Sequence, residues 1–544
     1  ILGLCVLPVA RLVAAAAGAD TGLWSQLSSS TVQRAIINTL SVALVSTGLA
    51  MFIGTAVALA LSCMAMRTRH ALAFIFVLSL MIAPQVAALA FKTLAGPSSP
   101  ILNTLGIAPP PGTPNPMLSF GGIVLVMGLQ HAPLVAITVA AGFARIPNAL
   151  IEAARLDGAR PVHLVMRIVL PLARLHLLAA ALLAFVAGVG NFGIPALLGL
   201  PVGYITLPTL VFRELASFGR GAINDAAMIS LIIAAIAGLA VVASAVLMTR
   251  RTTRTEGGGQ LEPIMARGLC TRLSELFLWV FFALTILLPL LSLVATSLVP
   301  AYGVRLTPAT LTVSQYTDFL WDQSLVRRAF VNSLSYASAA AVTLALLSLV
   351  IAYVLDRRLA PYRAILLSLV EMPYALPGVV IAIASILLFV APLPVFGISL
   401  YGTSWIIIFA YLASFLAIAL KPVNAAIASL DNEVEEAAII DGAGLFARLR
   451  HVLLPLVLPS VVAAAVMVFL LAFNELTISA LLWSAGTETL GVALLNLEDA
   501  GLGAEAAALA VLATCIVGAL MFAMDMARRF FPVGALPWRT LGGS

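Results

Sequence analysis

Runs of about 20 apolar residues recur along the whole chain, and a run of that length crosses a bilayer's hydrocarbon core as one helix. They lie at roughly 1–17, 36–63, 71–94, 119–143, 174–198 and 225–249, then at 274–298, 330–355, 364–390, 403–425, 457–482 and 506–527. Charged residues make up only 10% of the chain, against about 25% in ordinary soluble proteins, and mean hydropathy is +1.11. A transmembrane β-barrel would show short alternating strands instead. The expected fold is an all-α integral membrane protein of about 12 transmembrane helices. The first run, interrupted by Arg11, is the weakest. The chain opens on Ile1 in apolar sequence, which predicts a missing short N-terminal segment, and no cleavable signal peptide is recognisable.

The chain is also a tandem repeat. Glu152 to Pro171 reads EAARLDGARPVHLVMRIVLP and Glu436 to Pro455 reads EAAIIDGAGLFARLRHVLLP, an ungapped match at an offset of 284 residues. Both are polar, arginine-bearing islands between apolar runs. Asn38-Thr-Leu-Ser matches Asn332-Ser-Leu-Ser, and Ala196-Leu-Leu matches Ala480-Leu-Leu. Leu78-Ser-Leu with Pro84 matches Leu367-Ser-Leu with Pro373 at an offset of 289. The Gly-rich stretch from Arg250 to Pro263 marks a boundary. The expected organisation is a first transmembrane domain over 1–249, a cytoplasmic linker over 250–272 and a second transmembrane domain over 273–544. Six spans per half, an even number, insert both halves the same way up, related by a pseudo-twofold axis along the membrane normal.

Orientation follows from the basic residues. The side that carries both islands holds 21 of the 29 Lys and Arg residues, and the opposite side holds seven. This excess predicts that both islands are cytoplasmic. Each island reads as two short helices around a turn. Asp431 is placed to cap the helix through Glu435 and Glu436, Gly442 to end it in the left-handed region, and Pro161 to open the next helix. The paired alanines leave a shallow face for another protein, with the glutamate as a charged anchor.

Several function classes fall away. Only Lys92 and Lys421 are lysines, and with no basic block nucleic-acid binding has no support. Cys5, Cys63, Cys270 and Cys515 are scattered, which predicts neither a disulfide nor a metal cluster. Neither lysine follows a glycine, so the Gly-Lys-Ser/Thr of a P-loop is absent. No nucleophile–base constellation is visible, so the chain is not read as an enzyme and no cofactor is expected in it.

The islands resemble the cytoplasmic loop signature of binding-protein-dependent ABC transporter permeases: Glu-Ala-Ala, three residues, Gly, nine residues, Ile or Val, one residue, Leu-Pro. The first copy supplies Glu152, Ala153, Ala154, Gly158, Ile168, Leu170 and Pro171; the second supplies Glu436, Ala437, Ala438, Gly442, Val452, Leu454 and Pro455. The resemblance covers both halves and implies a type I importer with two permease subunits fused. It implies that each loop couples to one ATP-binding cassette ATPase, hence two ATPase subunits that bind ATP and Mg. It further implies a substrate-binding protein as partner and a place in the bacterial cytoplasmic (inner) membrane, among lipid.

Polar residues within the spans are the pointer to a substrate path. Asn191 aligns with Glu475 in the fifth span of each half, and Glu371, Gln130, His131 and Gln85 are further candidates. Gly190–Gly199 (GNFGIPALLG) and Phe473–Trp483 (FNELTISALLW) look most like ferric-iron import permeases, which implies ferric iron as cargo. The same transporter type for thiamine, a polyamine or a phosphonate is the alternative. A different class, an ion-coupled secondary transporter, also accommodates 12 spans, although it needs no paired loops. No His/Cys/Asp cluster has ligand spacing, so no metal ligands are expected. Glu488, Glu498, Asp499 and Glu505 lie on the outer side, read either as a meeting point for a binding protein or as a solvated loop.

Overall fold

A computed structural model of the protein describes residues 2–17, 23–217, 221–249, 261–321, 323–357, 359–392 and 397–530. Residues 250–260 of the expected linker lie outside the described residues. Among the described residues the elements are helices, and the one β-type contact is an isolated bridge between Met64 and Met265. The elements match the twelve apolar runs one for one. Eight are unbroken helices, such as Ser30–Cys63, Phe120–Phe143, Ser324–Arg357 and Ser404–Ala428. Three are helix pairs bent by more than 40°, and the first is a shorter apolar helix, Leu2–Ala15.

The sequence marks Pro84 and Pro373 as helix kinks; the structure bends at Pro84 but, in the second half, at Pro377 rather than Pro373. The third span of the first half turns by 100° between Arg69–Met81 and Pro84–Leu105, and that of the second by 102° between Arg363–Ala375 and Gly378–Phe389. A proline sets each turn, because the residue before it is pushed out of the α region. Ala83, with ψ 138°, precedes Pro84, and Leu376, with ψ 140°, precedes Pro377. Pro373, which sequence similarity pairs with Pro84, instead lies inside a helix. Helix starts Ser30 and Ser324, and Arg69 and Arg363, share an offset of 294, so the 289-residue register is corrected in this region. The fifth apolar runs also break just beyond their long helices, at Asn191–Phe192 and at Asn474–Leu476.

Small residues let the spans approach, as expected where lipid supplies no hydrophobic drive between helices. A Cβ on Gly54 of Ser30–Cys63 would lie 2.4 Å from the carbonyl oxygen of Ala132 in Phe120–Phe143. The repeated Asn-Thr/Ser pair has a structural reason. Asn38 Nδ2 donates to the Ile205 carbonyl at 2.9 Å, and Asn332 Nδ2 to that of Glu488 at 3.0 Å. Thr39 Oγ1 accepts the Leu207 N–H at 2.8 Å, and Ser333 Oγ accepts that of Leu490 at 2.8 Å. Each pair ties the start of a second span to the segment that follows the fifth.

The halves interlock. Leu7–Ala17 packs against Gly378–Phe389 of the second half, and Leu288–Ser297 packs against Pro84–Ala95 of the first. Each half therefore carries the other's first span.

Candidate functional site

The two islands have one backbone geometry. The first helix is Asn148–Leu156 in one copy and Asn432–Ile440 in the other, nine residues each. Gly158 at φ 82° and Gly442 at φ 81° end them in the left-handed region. The terminal bonds correspond one to one. Gly158 N–H donates to Arg155 O at 2.9 Å and Ala159 N–H to Ala154 O at 3.0 Å; Gly442 N–H donates to Ile439 O and Ala443 N–H to Ala438 O, both at 2.9 Å. Asp431 occupies the cap position without a side-chain bond to the helix. The following helices each contain one five-residue π turn, Val165–Val169 and Leu449–Leu453, just before Leu170-Pro171 and Leu454-Pro455.

What the islands expose at the motif positions is also the same. Glu152, Ala153, Glu436 and Ala437 are exposed, while Ala154 and Ala438 are half-buried. Beside them stand large apolar side chains that the sequence motif does not single out. Leu156 is 89% exposed and Ile440, in the same column of the repeat, 85%. Val162 and Phe446, again equivalent, are 60% and 72% exposed. Both islands thus hold apolar groups out at matched positions beside a glutamate. The signal is present in the 284-residue register, but only as apolar character at matched positions, which identity of residues does not reveal.

Four helix breaks meet between the halves. In the first half the break after Gly190 lies against Pro377, where the third span of the second half turns: a Cβ on Gly190 would sit 2.8 Å from Pro377 Cβ. The reciprocal contact is polar. Asn474 Nδ2, in the same column as Gly190, donates to Met81 O at 2.9 Å, and Gln85 Nε2 donates to Asn474 O at 3.4 Å. Within each half the two breaks also touch, with Gly193 facing Gln85 and Gly378 facing Ile478.

Asn191 and Glu475 cap the short helices that follow these breaks. Asn191 Oδ1 accepts the Ile194 N–H at 3.1 Å. Both Glu475 carboxylate oxygens accept the Ile478 N–H, at 2.8 and 2.9 Å, and Oε2 also accepts that of Ser479 at 3.1 Å. Gln130 is buried, with its amide donating to Ile82 O at 2.8 Å and Ser79 O at 3.3 Å, which satisfies carbonyls freed by the bend. Glu371 lies apart from this cluster, paired with Lys421 at 3.3 Å; both side chains are more than half exposed, and the ammonium also lies 5.4 Å from the Tyr374 ring centroid. His131 is buried, and its Nδ1 has no hydrogen-bond partner among the described residues. No group of three or more His, Cys, Asp or Glu among the described residues could hold a metal.

On the opposite face most of the acids are engaged within the chain. Lys92 of the first half pairs with Glu498 of the second. Glu488 accepts the Gly486 N–H at 3.0 Å, and Glu505 accepts from Gln323 at 2.6 Å. Asp499 is exposed at its helix end, and desolvation followed by the charge of Glu498 pushes its carboxyl up, opposed by Lys92.

Comparison with known proteins agrees with this architecture. The model of the family described as binding-protein-dependent transport system inner membrane component matches twice, over residues 68–255 and 346–532, so the chain belongs to that family and is a multi-pass inner-membrane transport component. It is 25% identical over 432 residues to a "Probable ABC transporter permease protein y4fN" of Sinorhizobium fredii, covering 76% of this chain and 72% of the relative. It is 27% identical over 382 residues to an "Fe(3+)-transport system permease protein FbpB 2" of Haemophilus influenzae, covering 69% and 70%. A "Putative 2-aminoethylphosphonate transport system permease protein PhnV" of Salmonella paratyphi A is 31% identical over 155 residues, covering 28% of this chain and 57% of the relative.

Proposed function

We propose that the chain is the membrane subunit of an ATP-driven importer that passes ferric iron from an external binding protein to the cytoplasm. The observation that carries the ATP-driven part is the pair of islands: one geometry and one exposed apolar surface, repeated in two halves. Each island docks one ATPase subunit. Glu152 and Glu436 are the charged anchors, Ala153, Ala154, Ala437 and Ala438 give the close approach, and Leu156, Val162, Ile440 and Phe446 are the apolar contacts. Gly158 and Gly442 set the turn, and Leu170-Pro171 and Leu454-Pro455 hand motion to the fifth spans. ATP and Mg belong to the partners; this chain itself holds no cofactor. The excess of basic residues on the island side supports placing both loops in the cytoplasm.

In the cycle, ATP closes the two ATPases and draws the islands together, and the halves rock about the meeting of the four breaks. Coupling requires only that ATP and loaded binding protein favour the same one of two states. Asn191 and Glu475 flank the path at the breaks, and Gln130 holds one of them in shape. Glu371 with Lys421 lines the wall of an aqueous cavity, since charges at membrane depth face water or protein rather than lipid.

Relatives named for Fe(3+) and ferric transport match over most of their length, which supports ferric iron as the cargo. The phosphonate reading is favoured by the higher identity of a shorter match. The test is uptake by vesicles carrying the chain, its ATPase and its binding protein. Radiolabelled iron accumulating with ATP, uninhibited by aminoethylphosphonate, supports the reading, and accumulation of phosphonate without iron refutes the choice of cargo.

A further inference from the structure

The two islands share a surface but are fastened to the membrane domain by different chemistry. In the first, the inward-facing positions are Ile151 and Leu164, both buried. The 284-residue register places Glu435 and Arg448 there in the second, and they too are buried. Arg448 Nη1 donates to Glu435 Oε1 at 3.2 Å. The cluster reaches into the second span of that half: Tyr353 donates to Glu435 Oε1 at 2.7 Å, and Arg357 Nε lies 3.2 Å from Oε2. Asp356 then joins Arg357 at 3.2 Å to Arg363 at 3.0 Å, at the start of the third span. In the first half the positions of Tyr353 and Arg357 hold Leu59 and Cys63.

The first island has a second attachment. Arg155 Nη2 donates to the carbonyls of Pro263 and Ile264 at 3.0 and 2.9 Å, and the Glu262 N–H donates to Asn148 Oδ1 at 3.0 Å. Met265 is held against Cys63 and Ala65 through backbone bonds of 2.9 and 3.1 Å. The position of Arg155 is taken in the second island by Ile439, which is exposed. Apolar packing and the end of the linker therefore hold one island, and in the other a carboxylate between two arginines and a tyrosine takes the place of the Ile151–Leu164 pair.

We propose that Glu435 is the positioning residue of the second island: it fixes that island to the second span, and its charge does there what apolar packing does in the first. Glu435 does not itself face the partner, because it is buried on the membrane-domain side of the helix that exposes Glu436. A buried carboxylate shared by two guanidinium groups holds position only while all three carry charge, since removing one leaves the others buried without compensation. The inference rests on the importer reading for its consequence, the transmission of motion, but not for the fastening itself.

Two measurements separate these. Trypsin cleavage at Arg450, compared with cleavage at the exposed Arg167 in the matching turn of the first island, reports the fastening without any transport. Glu435→Gln is expected to speed cleavage at Arg450 at least tenfold while leaving Arg167 unchanged; equal rates at Arg450 in Glu435→Gln and the parent overturn the proposal. In vesicles with the ATPase subunits, Glu435→Gln is expected to keep binding-protein-stimulated ATP hydrolysis and to lose at least tenfold in substrate moved per ATP. A graft of the first half's residues, Tyr353→Leu, Arg357→Cys, Glu435→Ile and Arg448→Leu together, is expected to restore slow cleavage and to return substrate per ATP to within about threefold of the parent. A graft that fails to assemble, or stays as loose as Glu435→Gln, overturns the claim that the charge acts by fastening. A parent protein that moves nothing with ATP refutes the importer reading and leaves the cleavage result to decide the inference.

Discussion

Gly190 of the first half stands against Pro377 of the second with no space for a side chain between them, a Cβ there falling 2.8 Å from Pro377 Cβ. If the halves rock about this contact, widening it blocks one end of the cycle. Gly190→Val is therefore expected to insert and bind its partners normally while lowering uptake at least tenfold. Normal uptake in Gly190→Val would place the moving contact elsewhere.

Glu475 has a capping duty that its partner in the repeat, Asn191, performs without charge. Glu475→Gln keeps an acceptor, so assembly and thermal stability should hold, whereas Glu475→Ala loses the cap at a cost of about 1 kcal/mol. A role on the path demands more: uptake should fall at least tenfold in both variants. Parent-like uptake in Glu475→Gln would reduce this carboxylate to a cap.

Gly158 and Gly442 face open space, with nothing within 4 Å of the place a Cβ would take, so the backbone alone restricts substitution there. Alanine at either position should cost about 1–2 kcal/mol of local stability through the left-handed conformation. Proline, locked near φ −65°, cannot adopt φ 82° or 81° at all. Gly158→Pro and Gly442→Pro are expected to leave insertion intact and abolish ATP-driven uptake, measured in the same vesicles.

The exposed apolar pairs give a docking prediction independent of transport. Phe446→Asp and Leu156→Asp should each reduce recovery of ATPase subunits with the purified chain by about tenfold, and the double variant more. Unchanged recovery in the double variant would remove these side chains from the interface.

Asp499 gives a pH test. Its folded-state pKa is raised, chiefly by desolvation and next by Glu498, so its contribution to stability is full below the unfolded carboxyl value of about 3.9 and is lost as pH rises through the folded value. Asp499→Asn should raise the unfolding temperature at pH 7, and the gain should vanish below about pH 3.9. A gain that persists unchanged in acid would point to a cause other than this carboxyl.

Much of this is legible from residues alone, for physical reasons. Spans announce themselves because a bilayer demands about 20 apolar residues, and the islands do because charge cannot be hidden among them. The bends at Ile82-Ala83 and Leu376-Pro377 leave no mark in hydropathy, since both limbs are apolar. Similarity of Leu-Ser-Leu pulls Pro373 onto Pro84, whereas the helix starts align Pro377 with Ala83 instead. The paired roles of Asn191 and Glu475 are visible as a column of the repeat, but not that both side chains bind backbone N–H groups. Glu435 and Arg448 read as solvated charges, because their burial depends on Tyr353 and Arg357, far earlier in the chain.

The central claim is that ATP, acting through the two islands, drives inward movement of ferric iron. The direct measurement is iron accumulation in vesicles containing the chain, its ATPase subunits and iron-loaded binding protein, with ATP on the island side and all ion gradients collapsed. The account predicts uptake that continues without a gradient and stops when ATP is withdrawn. Uptake that follows an imposed ion gradient and ignores ATP would contradict it.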